Sequence, residues 1–167
     1  MEEVSDVQHF AKLIKEIKFT MMTTISESDG SLKSRPLTLQ QVEFDGDLWF
    51  FCRKSSELVH QIQANPNVNL SFSDPKDSSY ISACGHGIIV DDTGKEKELW
   101  NAFYKPWFPE GLEDPELCLI KVTVESADYW ESPSSKIVTM VNFAKNILSG
   151  KKENNFIPGK HGHLNLN

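Results

Sequence analysis

Six stretches of the chain read as β-strands, and turns or short segments join them rather than regular β–α–β crossovers. They are Phe19 to Ser26, Leu32 to Phe44, Asp47 to Cys52, Asn67 to Ser73, Tyr80 to Val90 and Cys118 to Glu131. Val68, Leu70 and Phe72 alternate on one face of the fourth run; Cys118, Ile120, Val122 and Val124 do so on the last. Strands that follow one another so closely pair antiparallel. The pattern predicts a mainly β fold with external α-helices, a six-stranded antiparallel barrel rather than a doubly wound parallel sheet.

Local turn chemistry sharpens this. Glu27 to Gly30 reads as a turn, and Asp45-Gly46 between two apolar-rich runs is a strong type I′ hairpin signal. With Asp45 and Gly46 as the two turn residues, Thr38 faces Arg53, Pro36 faces Ser55 and Arg35 faces Ser56. Gly85 and Gly87 inside a strand point to a bulge, or to close approach of a ligand or another backbone.

Four helices complete the reading. Val7, Phe10, Ala11, Ile14 and Ile17 recur at helical spacing behind Ser5 or Asp6 as N-cap. Ser55 or Ser56 caps a short helix with Leu58, Val59 and Ile62 on one face, ended by Asn65-Pro66. A polar helix is expected from about Gly94 to Phe103. Another carries Ile137, Val138, Val141, Ala144, Ile147 and Leu148 between Pro133 and Gly150. Residues 1–150 form one domain on this reading, and 151–167 a polar, loosely ordered C-terminal tail.

Seventeen Lys and Arg against 24 Asp and Glu leave a net charge of −7. That argues against nucleic acid or an anionic membrane as partner. No apolar run approaches a membrane span, and the acidic start of the chain has no signal-peptide core, so a cytoplasmic protein is expected. The three cysteines, Cys52, Cys84 and Cys118, show no CxxC spacing; they read as reduced, buried thiols. No metal site is predicted, because the five histidines fall singly or in the tail.

The chain's two arginines, Arg35 and Arg53, both fall on the Asp45-Gly46 hairpin. In the drawn register Arg35 sits beside the first turn of the helix that Ser55 or Ser56 caps. A guanidinium next to free helical N–H groups makes an anion site. Against that stands an ordinary surface arginine beside an ordinary cap. Trp49, Phe50 and Phe51 on one strand, Trp107 and Phe108 in a Pro- and Gly-rich loop, and Tyr129 and Trp130 at the end of the last strand exceed what one core face takes. Some must face outward, to stack on a planar ligand or to fill a dimer interface. No catalytic acid, base or nucleophile stands out, and neither GxGxxG nor a P-loop is present.

These motifs in order, SLKSRPLTL, DGDLWFFCRKSSELVHQIQANPNVNLSF, YISACGHG and ELWNAFYKPWFPEGLEDPELCLIKVTVESADYWESPSSK, resemble the FMN-binding split-barrel family. Most similar is its bacterial general stress protein subgroup, related to pyridoxamine 5′-phosphate oxidase. The closing GKHGHLNLN also resembles the end of such proteins. The resemblance implies a six-stranded split barrel, a homodimer, and FMN in clefts at the dimer interface. It implies a flavin-binding protein of the stress-response type, either a carrier or an FMN-dependent oxidoreductase. Arg35, Pro36, Leu37 and Thr38 match the strand along the flavin and its ribityl phosphate; Phe51 and Cys52 match positions touching the flavin. Trp130 matches a tryptophan near the isoalloxazine in the oxidases. Together with Ser55, Ser56 and Trp107 these are the expected cofactor-binding residues. One departure is visible. Where relatives place a basic pair or a lysine after the serine, Ser56 is followed by Glu57 and Leu58. FMN is therefore expected to bind weakly, with FAD as another occupant. The alternative is a non-catalytic member that has lost tight FMN binding and serves as a ligand-binding or dimeric interaction module.

Overall fold

The computed structural model describes residues 6–40, 43–132 and 160–166. Helix α1 (Asp6–Glu16) buries Phe10, Leu13 and Ile14, with Ile17 just past its end; Val7 turns outward. Seven strands follow: β1 (Phe19–Ile25), β2 (Leu32–Thr38), β3 (Asp47–Arg53), β4 (Asn67–Asp74), β5 (Ser79–Val90), β6 (Leu117–Glu131) and β7 (Lys160–Asn165). Helix α2 (Glu57–Ala64) links β3 to β4, and α3 (Thr93–Leu99) leads into two 3₁₀ turns before β6. The helix expected before Gly150 and the Ser5 cap lie outside the described residues.

Among the described residues every strand pairing is antiparallel, in the order β2-β1-β4-β5-β6-β3 with β7 beside β6. Strand β6 is the spine. Along one edge it pairs with β5; along the other with β3 over Leu117–Thr123 and with β7 over Ser126–Glu131. The two end strands, β2 and β3, form no ladder with each other, and the sheet is an open, split barrel. One backbone bond crosses the seam, from Gln40 N–H to the Trp49 carbonyl at 3.0 Å.

Two expectations are corrected here. The barrel has seven strands, because Lys160–Asn165 of the supposedly loose tail pairs with β6. And β2 does not form a hairpin with β3 across Asp45-Gly46; it folds back on β1, with Arg35 opposite Met22 and Thr38 opposite Phe19. The physical reason is the stronger turn at Ser26–Ser31. Asp29 accepts from both the N–H and the hydroxyl of Ser31, Gly30 takes φ +68°, and backbone bonds between Ser26 and both Gly30 and Ser31 close the loop. Those Ser31 bonds hold the Asp29 carboxyl down at about 2.

The core has two parts. Inside the barrel lie Met22, Phe50, Leu70, Phe72, Ile81, Ile120 and Tyr129, closed at one end by α1. A smaller cluster of Phe51, Leu99, Phe108, Leu117 and Leu119 sits on the other face of β3 and β6, under α3 and the following loop. The start of β6 is thus buried on both faces. Gly85 answers the sequence expectation: the register shifts there by one residue, and a Cβ would lie 2.1 Å from the Thr123 carbonyl oxygen. Among the described residues, no helix is long and apolar enough to cross a membrane.

Candidate functional site

A cleft of about 320 Å³ opens beside the seam. Arg35, Pro36, Leu37 and Thr38 of β2 line it, with Phe51, Cys52 and Arg53 of β3. Ser56 and Leu58 come from the start of α2; Phe103, Tyr104, Trp107 and Phe108 come from the turn after α3. Although β2 and β3 are not paired as the sequence suggests, the curl of the sheet still brings their cleft residues together. Both arginines of a chain with net charge −7 therefore line one cavity, opposite a group of aromatic rings.

Arg35 is held from behind. Its Nη1 donates to Thr24 Oγ1 and its Nη2 to Gln61 Oε1, both at 2.8 Å. Thr24 and Gln61 are almost fully buried, and the Thr24 hydroxyl also donates to Gln61 Oε1 at 2.6 Å. Gln61 in turn donates to Glu57 Oε1 at 2.7 Å. Glu57, read from sequence as a negative charge beside an anion site, thus sits one residue behind the guanidinium and orients the amide that orients Arg35.

Arg53 holds the far side. Its Nη1 donates to the Trp107 carbonyl at 3.1 Å, fixing the aromatic turn, and its Nε lies 3.9 Å from Glu116 Oε2. The same carboxylate oxygen accepts the N–H of Ser55 at 3.1 Å and, more closely, the Ser55 hydroxyl. These bonds, and to a lesser degree Arg53, keep the Glu116 carboxyl below the usual carboxylate range. Ser55 therefore faces Glu116 and is not among the cleft-lining residues. Ser56 is the true N-cap of α2: its hydroxyl accepts from Val59 N–H at 3.3 Å.

The aromatic side is built on Phe51. Its ring centroid lies 5.0 Å from Tyr104, 5.8 Å from Trp100 and 6.4 Å from Phe108. Gln40 donates to the Tyr104 hydroxyl at 2.7 Å and to the Thr38 carbonyl at 3.0 Å, tying the turn to β2. Burial pushes the Tyr104 phenol up, so it remains an O–H donor at neutral pH. Trp107 is half exposed at the mouth, with Phe103 at 5.6 Å.

Trp130 lies elsewhere in this chain. It stacks on His161 of β7 at 5.3 Å, stands opposite Tyr80 across the β5–β6 ladder, and is exposed. His86 pairs with Glu125 at 2.7 Å. Phe103 and Tyr104 were missed. Their signal was available: two more aromatics in the same Pro- and Gly-rich stretch that carries Trp107 and Phe108. Of the three thiols, Cys84 is exposed, against expectation, while Cys52 and Cys118 are buried.

The likeness to known proteins follows the same architecture. The family model described as pyridoxamine 5′-phosphate oxidase like matches residues 5–154. Protein bli-3 of Neurospora crassa is 27% identical over 159 residues, covering 90% of this chain and 75% of its own length. A putative general stress protein 26 from Jannaschia sp. CCS1 superposes with a TM-score of 0.72 at 21% identity, over 94% of this chain and 95% of that one. The general stress FMN/FAD binding protein of Xanthomonas citri gives 0.67 at 26% identity, over 76% of this chain and 89% of that one.

Proposed function

This chain belongs to the pyridoxamine 5′-phosphate oxidase like family, and on that premise we propose that the cleft between β2, β3 and the aromatic turn binds a flavin, FMN first of all. One observation carries the reading: the chain's two arginines and a cluster of aromatic rings line the same cavity. Its volume falls in the usual range of cofactor pockets. Arg35 and Arg53 would hold a phosphate by charge-assisted bonds. Leu37, Thr38, Phe51 and Cys52 would lie along the ring system, and Tyr104 and Trp107 would shield it from water. The Xanthomonas citri protein, described as FMN/FAD binding, supports the choice of ligand. Flavin supplies hydride and electron transfer itself, so the chain need only position it. On this reading the activity is a flavin-dependent oxidation–reduction.

The same reading includes a homodimer, because Phe19 and Met21 of β1, Tyr80 of β5 and Trp130 of β6 are exposed and such apolar surface needs cover. A two-fold interface of roughly 2,000 Å² or more is expected. A monomer in sedimentation equilibrium at micromolar concentration would remove this part of the reading.

A second reading, weak or lost FMN binding, has specific support. Buried Leu58 stands in the cleft at the first turn of α2. Glu116 already takes both Ser55 donors, and two donors of Arg35 are committed to Thr24 and Gln61. The deciding experiment is a visible absorption spectrum followed by titration with FMN, FAD and riboflavin. Micromolar or weaker FMN binding, with loss on gel filtration, is expected. No binding of any flavin would leave only the non-catalytic module.

A further inference from the structure

Two of the three cysteines stand directly opposite each other on paired strands. Cys52 of β3 faces Cys118 of β6 in register, and their sulfurs lie 3.2 Å apart. Facing residues on antiparallel strands have Cα atoms about 4.5–5.5 Å apart. That falls inside the roughly 4.4–6.8 Å window a disulfide needs. Closing the bond asks for about an ångström of sulfur movement, to the usual ~2.05 Å, and no shift of either strand. The two sulfurs differ in access. Cys118 is fully buried, whereas Cys52 is 6% exposed and lines the cleft.

We propose that Cys52 and Cys118 form a two-electron dithiol–disulfide centre in the cleft wall, oxidised by small hydroperoxides that enter through the cleft. This goes beyond the flavin reading and applies to the chain with its cleft empty, since a flavin along Cys52 would cover the sulfur. The Cys52 thiolate attacks the nearer peroxide oxygen and the O–O bond breaks. The departing hydroxide takes up a proton and leaves as water, with Cys52 as a sulfenic acid. The Cys118 sulfur then attacks the Cys52 sulfur. The S–S bond forms, the S–O bond breaks, and the leaving hydroxide takes the Cys118 proton as a second water. The dithiol has lost two electrons and two protons, and the peroxide has become two waters.

The bond from Cys52 holds Cys118 below the usual thiol range, and that bond with burial pushes Cys52 up. The Cys52 thiolate therefore forms only as Cys118 takes its proton across the 3.2 Å gap, and that is the proton Cys118 later gives to the second hydroxide. Lys54 adds positive charge to the Cys118 side, opposed by Asp91, with which it pairs at 2.9 Å, and by Glu96. The rate should therefore rise with pH, because the thiolate is the nucleophile. With so little of Cys52 exposed, small oxidants reach its sulfur more readily than large ones. Hydrogen peroxide should act faster than a bulky disulfide such as oxidised glutathione.

The full chain, reduced and freed of reductant, is treated with hydrogen peroxide. Thiols are counted after denaturation and the peptides mapped without reduction. The count is expected to fall from three to one, with the Cys52 and Cys118 peptides linked and both thiols restored by dithiothreitol. Cys84→Ser should fall from two to none. Cys118→Ser should instead give a Cys52 sulfenic acid, trapped by a cyclic 1,3-diketone. If either variant fails to fold, the peptide map of the unaltered chain decides alone. Three thiols surviving peroxide that readily oxidises denatured protein, or a linkage that includes Cys84, would overturn the proposal.

Discussion

Replacing Leu58 by lysine separates the flavin reading from its rival, because it changes stability and affinity in opposite directions. Leu58 is 5% exposed, packs in the core cluster and also lines the cleft. Full burial of a leucine contributes about 1.5–3 kcal/mol. A lysine stem recovers part of this by lying along the same apolar surface with its ammonium in the cleft. The net loss of folding stability should be about 1–2 kcal/mol. The ammonium adds one charge-assisted bond to a phosphate, about 1.5–3 kcal/mol. Even the lower figure is about tenfold in affinity. Glu57 should stay in place, since it holds Gln61, which holds Arg35. Urea unfolding without ligand measures the first effect; titration with FMN and riboflavin measures the second. Leu58→Lys should unfold at lower urea, bind FMN at least about tenfold more tightly, and bind riboflavin unchanged. The FMN gain should shrink in high salt. If riboflavin gains equally, or FMN gains nothing, no phosphate lies beside α2 and the reasoning fails.

Arg35→Ala should weaken FMN by about 1.5–3 kcal/mol and scarcely touch riboflavin; equal losses would mean that it acts through the Thr24–Gln61 network instead. Glu57→Ser should loosen that network and weaken FMN by about 0.5–1 kcal/mol, where a purely repulsive Glu57 would give tighter binding. Glu96 is buried with its Oε1 unpartnered, and burial, aided by Asp91, raises its carboxyl above the ordinary range. The folded state then binds that proton more tightly than the unfolded chain, so this group's contribution is lost as pH rises through the carboxylate range toward neutral. Glu96→Gln should be more stable by about 1 kcal/mol at neutral pH and equal to the parent in acid; a gap independent of pH would count against it. Gly85→Ala should cost about 3 kcal/mol or more, since its Cβ meets backbone rather than a movable side chain; a thermal midpoint near the parent's would show that the bulge can relax.

What the sequence discloses is what local periodicity and glycine chemistry encode. The buried stripe of α1, the alternation of Val68, Leu70 and Phe72, and the bulge at Gly85 follow from spacing alone. The partner of β2 does not. Two Asp/Gly turns compete for it, and only the three-dimensional closure at Ser26–Ser31 decides between them. Strand β7 is concealed for another reason. Its six residues are mostly polar, Leu164 alone is buried, and the edge of β6 left free beyond β3 recruits them. At the site, the resemblance identified cleft residues on β2 and β3 despite the wrong pairing, because both strands border the same gap. Ser55 faces Glu116 and Trp130 stacks on His161, two long-range partners that no spacing reveals.

The open seam also bears on how this protein avoids its own kind. A sheet that does not close leaves strand edges as templates for another chain. Strand β2 carries an exposed Pro36, which cannot donate to a ladder, between Arg35 and the half-buried Leu37–Thr38 end, with exposed Lys33 nearby. Those residues blunt the edge. All of them but Lys33 also line the cleft. A molecule seated in the cleft would cover the same stretch of edge, so in this fold the residues that guard the seam against strand addition and the residues that could hold a ligand are one set.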